Sequence, residues 1–435
     1  MKNKAPYQRI VFDNGLVVLL YPLISLQSVY TVLYTRSGTF YETKESNGLS
    51  HFTEHMIYEG TKSYPSPSSL STAYEVEGIL HGASTSNLDT VFWFKSSSEK
   101  ANKAFKLFSE LILSPLLPAS RMENVRKVIL NEYADKWRYP ESQFSQRLMD
   151  SRFVLKDHPY TYDALGSQEN IKKFSYSDVL LWKNRFYQPG NMVISIAGNF
   201  DEKTVSAFLK ETFGKLSKEE QSHLPELKED RYSDFHLYHK FIERDQVLFT
   251  LTFPCFGFKE VPREKRLTLT LLEVMIGRGQ ASRFYKALRE KKSLVYDVGI
   301  GHSYFPWKGF LSIEGSTGKD NLLEVLTIIR REIAKVLNSG FTDKEISRSK
   351  NIISSSTSFY FESPQGIADS LATQEIDGEK IWLPDDYSAS AKKINKGKVE
   401  ELAREIFNFE KINVGLFGNF NETQTEKIKK ILCSC

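Results

Sequence analysis

Two stretches of the chain, 220 residues apart, end in the same pattern. Residues 193–201 (VISIAGNFD) and residues 414–421 (VGLFGNFN) are runs of strand-forming residues, each stopped by Gly-Asn and followed by a charged amphipathic segment. Residues 28–33 (SVYTVL) correspond to residues 246–251 (QVLFTL) at the nearly equal offset of 218 residues. Because self-similarity at a fixed spacing marks repeated structural units, we predict that the fold arose by duplication.

The repeat predicts the domain organisation. Residues 1–215 form the first predicted domain, and residues 235–435 form a homologous second one. Residues 216–234 are polar and charged, which is typical of a linker. The chain of 435 residues also exceeds the size at which a single core keeps growing. Strand-like segments near both ends of each half, with helical segments between, predict an α+β fold of two mostly antiparallel sheets packed with helices.

A metal-binding pattern lies in the first half, in residues 51–55 (HFTEH). On a helix, positions i and i+4 lie on one face, so His51 and His55 can bind one ion, and Glu54 shares that face. The glutamate directly precedes the second histidine, which is the inverted order of the common His-Glu-x-x-His zinc motif. Catalytic zinc takes three protein ligands and keeps one position open for water. A third ligand must therefore come from elsewhere.

The segment from Arg121 to Trp137 offers that ligand. Val125, Val128 and Ile129 form a helical apolar stripe, and Glu132 follows one turn later. A buried carboxylate needs a partner, and zinc would be one. A lone His-x-x-x-His pair, or a lone glutamate at the end of a stripe, is more often structural. Their combination favours a metal site.

The surrounding sequence, residues 37–61, closely resembles the signature of the pitrilysin, insulin-degrading enzyme and mitochondrial processing peptidase family. The chain is most similar to its short, single-subunit bacterial members. That resemblance implies one Zn²⁺ per chain, with His51, His55 and Glu132 as ligands and Glu54 as the general base. The 77-residue gap between His55 and Glu132 agrees with the spacing in the family.

These residue types suit amide hydrolysis. Two neutral imidazoles and one carboxylate leave zinc with net positive charge, which lowers the pKa of a bound water from about 15.7 to near 7. Glu54 can take that proton and pass it to the leaving amine. We therefore predict a zinc metalloendopeptidase that hydrolyses peptides or unfolded protein segments.

The second half lacks the metal ligands. At the offset of 220 residues, His51 and His55 correspond to Leu271 and Met275, and Glu132 corresponds to Ile352. The resemblance assigns this half another use. An Arg and a Tyr seven positions apart contact the substrate in the family, and Arg289 and Tyr296 match them. By that match, both residues hold the peptide and help to stabilise the oxyanion.

The substrate strand is also implied by the resemblance. Gly82, Ala83, Ser84 and Thr85 are similar to the family's edge strand, to which an extended peptide adds by backbone hydrogen bonds. Three positions depart from the family pattern: Gly82, where relatives usually have Asn; Val125, where many have Glu; and Ser293, where Gly is usual. These departures predict a slow or narrowly specific enzyme.

Family members of this length imply a homodimer that closes like a clamshell, with Arg289 and Tyr296 acting on the partner's zinc half. Two alternatives stay open: a catalytic subunit that pairs with a different, related chain, and a non-catalytic scaffold or binding subunit of the same fold. Metal analysis combined with a peptide library would separate the scaffold from the enzyme.

Composition limits the other partners. With 58 basic and 54 acidic side chains, the net charge of +4 is too small to indicate nucleic acid or an anionic membrane as partner. No segment approaches the roughly 18 uninterrupted apolar residues of a membrane helix. Three cysteines, an odd number, agree with a reducing compartment. We predict a cytoplasmic protein.

Overall fold

The computed structural model describes residues 5–153, 158–218, 222, 224 and 234–433. Most of the predicted linker, residues 216–234, and the terminal Cys435 lie outside the described residues. The chain divides into two compact units. The first consists of Met1–Arg138, Pro159–Lys228 and Phe359–Trp382, and the second consists of Tyr139–His158, Glu229–Ser358 and Leu383–Cys435.

Both halves of the described chain contain strands and helices, which follow one another in short runs. The strands are β1 Gln8–Val11, β2 Val17–Pro22, β3 Ser28–Thr35, β4 Leu80–Thr85, β5 Thr90–Ser97, β6 Met192–Gly198, β7 His236–Phe241, β8 Gln246–Cys255, β9 Val295–Tyr304, β10 Gly309–Gly318 and β11 Asn413–Gly418. The helices are α1 Leu49–Ile57, α2 Pro67–Val76, α3 Ala101–Leu113, α4 Met122–Trp137, α5 Pro140–Asp150, α6 Gln168–Lys173, α7 Tyr176–Phe186, α8 Glu202–Glu211, α9 Arg263–Ile276, α10 Leu322–Ser339, α11 Asp343–Tyr360, α12 Pro364–Ile376, α13 Pro384–Lys393, α14 Lys396–Ile406 and α15 Glu422–Cys433.

The sheet of the first unit has six strands in the order β1-β2-β6-β3-β5-β4. Only β2 and β6 are parallel, and the other neighbours are antiparallel. Strand β5 shows why one face is the core, because its side chains alternate between buried and more exposed positions. Phe94 packs against Phe105 and Phe108 of α3, with ring centroids 5.3 and 5.2 Å apart. Strand β4 is left at the edge of the sheet.

The sheet of the second unit repeats this topology. Its five strands run β7-β11-β8-β10-β9, with β7 and β11 parallel and the others antiparallel. This order corresponds strand for strand to β2-β6-β3-β5-β4 of the first unit. The predicted fold class, two homologous α+β domains from an internal duplication, is confirmed.

One helix of each half packs in the unit that is built mainly from the other half. Helix α12 lies in the first unit, on β3 and β6, while α5 lies in the second unit, on β7 and β11. The two helices occupy corresponding positions in the repeat. The boundaries predicted from the repeat, 1–215 and 235–435, stay a prediction about the duplicated halves.

In the part of the chain that the structure describes, no helix is both long enough and apolar enough to span a membrane. Cys255 is half-buried and Cys433 is exposed, and no disulfide joins the described cysteines. The cytoplasmic location stays a prediction.

A charged capping box begins α11 in the second unit. The Glu345 carboxylate accepts hydrogen bonds from the backbone N–H and the hydroxyl of Thr342, at 2.8 and 2.9 Å. Arg283 donates to both oxygens of Glu345, at 2.7 and 3.0 Å, and also to the Gly340 carbonyl at 2.8 Å. Burial alone would raise the pKa of Glu345, but the hydrogen bonds from Arg283 and Thr342 outweigh it and lower the pKa to about 2.

The E345Q substitution should therefore destabilise the protein in a pH-dependent way. Because the folded-state pKa of about 2 lies below the ordinary value of 4.5, the carboxylate stabilises the fold above about pH 4.5. That stabilisation is lost as the pH falls toward 2. We expect E345Q to lower the free energy of unfolding by about 1–2 kcal/mol at pH 7, and by progressively less below pH 4.5.

Urea unfolding between pH 2.5 and 7, followed by circular dichroism, measures this difference. The exposed Glu426 provides a matched control, since E426Q removes a carboxylate that lies on the surface of α15. A destabilisation by E345Q that stays constant across this pH range would contradict the assignment.

Candidate active site

Helix α1 begins at a turn that only glycine fits well. Gly48, the N-cap, has φ of 101°, a left-handed conformation that side chains rarely adopt. A Cβ at Gly48 would also lie 2.8 Å from the Leu165 carbonyl oxygen and 2.9 Å from Gly166 Cα. Fully buried Phe52 and Met56 then anchor one side of the helix in the core. The helix is thereby fixed in rotation, with His51, Glu54 and His55 on the remaining surface.

Three ligand atoms form a compact triangle. His51 Nε2 lies 3.2 Å from His55 Nε2, and Glu132 Oε2 lies 3.8 Å from the first nitrogen and 3.6 Å from the second. Ligands bound at about 2.0–2.1 Å in tetrahedral geometry are separated by about 3.3 Å, so this triangle fits zinc. Among the residues that the structure describes, no other three His, Cys, Asp or Glu side chains are grouped in this way.

Both imidazoles are held neutral. Burial and the neighbouring His55 lower the pKa of His51 to about 3. Burial also lowers the pKa of His55, although Glu59 partly opposes it. Neutral imidazole is the form that binds a metal ion, because a protonated nitrogen has no free lone pair. Burial thus prepares the donor set for a cation.

Glu132 lies at the border of the apolar stripe on α4. Val125 and Ile129 are buried, as predicted, but Val128 is 48% exposed, so its assignment to the buried stripe was wrong. Successive helical residues turn by about 100°, which carries Val128 beyond the face shared by Val125 and Ile129. The Glu132 side chain is 41% exposed. Glu132 therefore reaches His51 and His55 from the edge of the core, and burial still raises its pKa.

Glu54 and Thr85 join α1 to the edge strand β4. The Thr85 hydroxyl donates a hydrogen bond of 2.6 Å to Glu54 Oε2. Burial raises the pKa of Glu54 to about 7; the bond from Thr85 opposes the rise and the charge of Glu132 adds to it. Thr85 was predicted to contact substrate, and here it contacts the predicted general base. The first unit thus gathers His51, His55, Glu132, Glu54 and Thr85 into one cluster.

The sequence reasoning missed Glu42, a buried carboxylate at the start of α1. One oxygen accepts hydrogen bonds from the Gly48 N–H and the Asn47 side chain, both at 2.9 Å. The other accepts from the Ser50 N–H at 2.8 Å and the Ser50 hydroxyl at 2.6 Å. All four contacts are donors, which favours the ionised carboxylate against the burial that raises its pKa. A negative charge here also complements the positive end of the helix dipole.

A second set of contacts ties α1 to α4. The Asn47 side chain donates to the Asp163 carbonyl oxygen at 2.9 Å. The Asp163 carboxylate forms an ion pair with Lys136, which lies one turn beyond Glu132 on α4. The two helices that carry the ligand triangle are therefore connected through one loop residue.

Arg289 and Tyr296 form a separate cluster in the second unit. Arg289 lies in a π-helical segment, Tyr285–Glu290, and donates a 2.6 Å hydrogen bond to the Tyr296 carbonyl oxygen. Its guanidinium lies 5.2 Å from the centre of the Tyr296 ring, and the Tyr296 side chain is 76% exposed. Between them, Ser293 has φ of 52°, a left-handed conformation that glycine adopts more easily than serine.

Two of the three counterparts of His51, His55 and Glu132 lie in the core of the second unit. Leu271 and Met275 lie on α9 and are fully buried. Ile352, the counterpart of Glu132, lies on α11 and is 39% exposed. In the duplicated helix, apolar core side chains occupy the positions that the two imidazoles have in α1.

Comparison with known proteins gives a consistent picture. Residues 22–159 match the family model described as Insulinase (Peptidase family M16), and residues 173–353 match that described as Peptidase M16 inactive domain. An uncharacterized zinc protease of Rickettsia felis is 28% identical over 337 residues, covering 78% of this chain and 79% of that protein. The uncharacterized zinc protease YmxG of Bacillus subtilis is 27% identical over 402 residues, covering 92% and 95%.

The solved structures agree on the fold. A peptidase M16 inactive domain from Pseudomonas fluorescens superposes with a TM-score of 0.84 at 19% identity, covering 95% of this chain and 98% of that one. Two duplicated α+β units, one with a His-x-x-Glu-His helix beside a third carboxylate, define a protein of the zinc-protease-like class. The chain belongs to the insulinase family, peptidase family M16.

Glu42 should influence metal affinity without touching the metal. In E42Q, the amide NH₂ group would replace one carboxylate oxygen and face N–H or O–H groups that now donate to that oxygen. Two donors cannot bond to each other, so the start of α1 would loosen. We expect zinc affinity to fall by about 10- to 100-fold, the usual effect of removing a group that orients metal ligands.

Competition with a chromogenic chelator measures this affinity independently of activity. The control is E45Q, since Glu45 is an exposed carboxylate in the same loop. Wild-type zinc affinity in a folded E42Q protein would rule out this role for Glu42.

Proposed function

We propose that the protein is a zinc-dependent metalloendopeptidase that hydrolyses peptides or unfolded protein segments. His51, His55 and Glu132 would hold one Zn²⁺ per chain, and Glu54 would be the general base. The observation that carries the proposal is the triangle of ligand atoms, 3.2 to 3.8 Å apart, with Glu54 on the same helix. The names of its relatives, which are called zinc proteases, support the same class.

Glu54 has the properties that a proton carrier needs. When bound, zinc supplies Lewis-acid chemistry by acidifying a water molecule and polarising the peptide carbonyl. The pKa of Glu54, about 7, lets it accept a proton and release it again near neutral pH. Thr85 fixes Oε2 with a hydrogen bond, while Oε1 accepts none from the described residues. The proton would be held on Oε1 and passed to the leaving amine.

The peptide would bind along β4. The outer side of this strand pairs with no other strand in the described sheet, so its backbone N–H and C=O groups are free to pair with an extended segment. Gly82, Ala83 and Ser84 lead to Thr85, whose side chain already contacts Glu54. A peptide aligned on β4 would thus run beside the general base. Backbone pairing requires an extended chain, which agrees with peptides and unfolded segments as substrates.

Arg289 and Tyr296 would complete the site from the second unit of a partner subunit in a homodimer. Arg289 carries a fixed positive charge, and Tyr296 exposes a phenol that can donate a hydrogen bond. Both are suited to hold the peptide and to stabilise the negative charge that develops on its carbonyl oxygen. A heterodimer with a related chain is the alternative assembly.

The E54Q substitution tests the chemistry. Glutamine keeps the size of the side chain but cannot take up a proton, so we expect turnover to fall by about 10²- to 10⁴-fold while zinc binding is retained. In E132Q, by contrast, the zinc affinity itself should fall, because a charged ligand is lost. A quenched fluorescent peptide library and metal analysis of the same samples measure both effects.

Chelator treatment followed by zinc addition provides the control for metal dependence. If the purified chain holds no stoichiometric zinc and cleaves nothing that a chelator inhibits, the enzyme proposal fails. The non-catalytic scaffold of the same fold would then be the remaining function.

Mixing two inactive variants tests the assembly. If Tyr296 acts on the partner's zinc site, E54Q and Y296F chains each lack one contribution, and a mixed dimer regains one complete site. Statistical mixing at equal concentrations makes half of the dimers mixed, each with one of two sites intact. We therefore expect recovery of about one quarter of the wild-type activity, a general consequence of closed two-fold symmetry.

Subunit exchange must be verified separately, for example with differently tagged chains. E54Q mixed with itself is the matched control. Exchange without any recovery would contradict action in trans, and a chain that stays monomeric and active would contradict the dimer.

A further inference from the structure

The indole of Trp93 lies across Gly82. These two residues are direct partners on neighbouring strands, β5 and β4. A Cβ at Gly82 would lie 2.9 Å from Trp93 Cζ2, 3.0 Å from Cε2 and 3.1 Å from Nε1. Real Cβ atoms do not approach that closely, so the ring occupies the space that a side chain at Gly82 would need. The Trp93 ring can therefore take this position only because residue 82 has no side chain.

This feature lies on the opposite face of the sheet from Glu54. Side chains alternate along a strand, and Thr85, which bonds to Glu54, points to the side of β4 that faces α1. Gly82 and its partner Trp93 therefore point to the other side. There, the Trp93 ring is backed by Tyr30 of β3, with ring centroids 6.0 Å apart and planes 19° apart. The indole is supported on one flank and half-buried overall.

The position of Trp93 places it next to any peptide on β4. Because β4 is the edge strand, a peptide on its outer side becomes the next strand of the sheet. Directly opposed residues on paired strands share a face, so the peptide residue opposite Gly82 would direct its side chain to the Trp93 face. Its neighbours in sequence would point to the Glu54 face. With no Gly82 side chain between them, a peptide side chain on the Trp93 face meets the indole directly.

Trp93 lies close, along the bound peptide, to the position of the general base Glu54. Gly82 and Thr85 are three residues apart, which corresponds to about 10 Å along a strand. The peptide residue that meets Trp93 is therefore within about three residues of the one that passes Glu54. Lys95, exposed and two residues beyond Trp93 on the same face of β5, disfavours basic peptide side chains there.

We propose that Trp93 is a specificity-determining residue that selects a large aromatic or apolar side chain in the substrate within about three residues of the cleaved bond. The proposal rests on the proposed function, since it assumes that peptides bind along β4. The indole supplies a flat apolar surface, and stacking on it favours an aromatic partner over alanine. The substrate class is thereby narrowed from extended peptides to those with an aromatic residue near the cleavage site.

A cleavage profile tests the proposal, because each cut site shows which peptide residue lay at the active site and so fixes the register of the peptide on β4. The zinc-loaded wild-type protein and W93V digest a mixed peptide library, and mass spectrometry identifies the cut sites. We expect aromatic residues to be enriched at one position near the cut in the wild type, with kcat/KM about three- to tenfold higher than for alanine there. W93V should lose this preference, while W93F should keep most of it.

Two further variants separate the indole from general effects on the sheet. G82A leaves Trp93 intact but adds the Cβ that would displace its ring, so it should weaken the same preference. W307V is the matched control, because Trp307 is another half-buried tryptophan, in the second unit. An aromatic preference that is unchanged in both W93V and G82A would overturn the proposal, as would a wild-type profile with no aromatic preference.

Binding to a non-cleaving protein distinguishes failure of this inference from failure of the proposed function. Fluorescent extended peptides that carry Phe or Ala at the selected position are titrated into E54Q and into the E54Q W93V double variant. A three- to tenfold preference for Phe that is present only with Trp93 supports the inference, even if the wild type cleaves nothing. If no cleavage is seen, so that the preferred position is unknown, Phe is placed at each position of the peptide in turn. Equal binding of all peptides to both proteins would overturn it.

Discussion

The candidate metal site depends on how the carboxylate of Glu42 holds the start of α1. A helix of nine residues is too short to be stable alone, so its position must come from tertiary contacts. Glu42 accepts four hydrogen bonds from the residues that begin the helix, and Phe52 and Met56 anchor the buried side. The loop at Asp163 then connects this helix to α4. The spacing of the three ligand atoms follows from these contacts, since the ligands lie on two separate helices.

Much of this arrangement could be predicted from the sequence, and a particular physical reason explains each part that could not. The duplication and the fold class followed from repeated strand endings, and the grouping of His51, His55 and Glu132 followed from helical spacing and the family resemblance. Glu42 was not predictable, because Glu45 lies in the same polar segment and nothing in the sequence says which carboxylate is buried. The prediction that Val128 is buried was wrong because three- and four-residue spacing identifies an apolar face but does not show where that face ends. Long-range contacts decide both cases.

The two copies of the duplicated unit differ in the polarity of the side chains at corresponding positions of one helix. In the first unit, α1 keeps polar side chains in a buried setting, where desolvation shifts the pKa of His51 and Glu54. In the second, Leu271 and Met275 remove that cost and pack as ordinary core residues. The second unit has instead a strained, partly exposed segment around Ser293, between Arg289 and Tyr296. This copy presents Tyr296 on its surface instead of a cluster of buried imidazoles.

The exchanged helices α5 and α12 have a consequence for how the chain is made. The first unit includes residues as late as Trp382, so a ribosome must synthesise most of the protein before that unit can be completed. Domains usually fold in turn as they emerge. Here the first sheet would wait with one face uncovered until α12 arrives. Separating the halves at the repeat boundary would therefore leave each half with a helix that packs on the sheet of the other half.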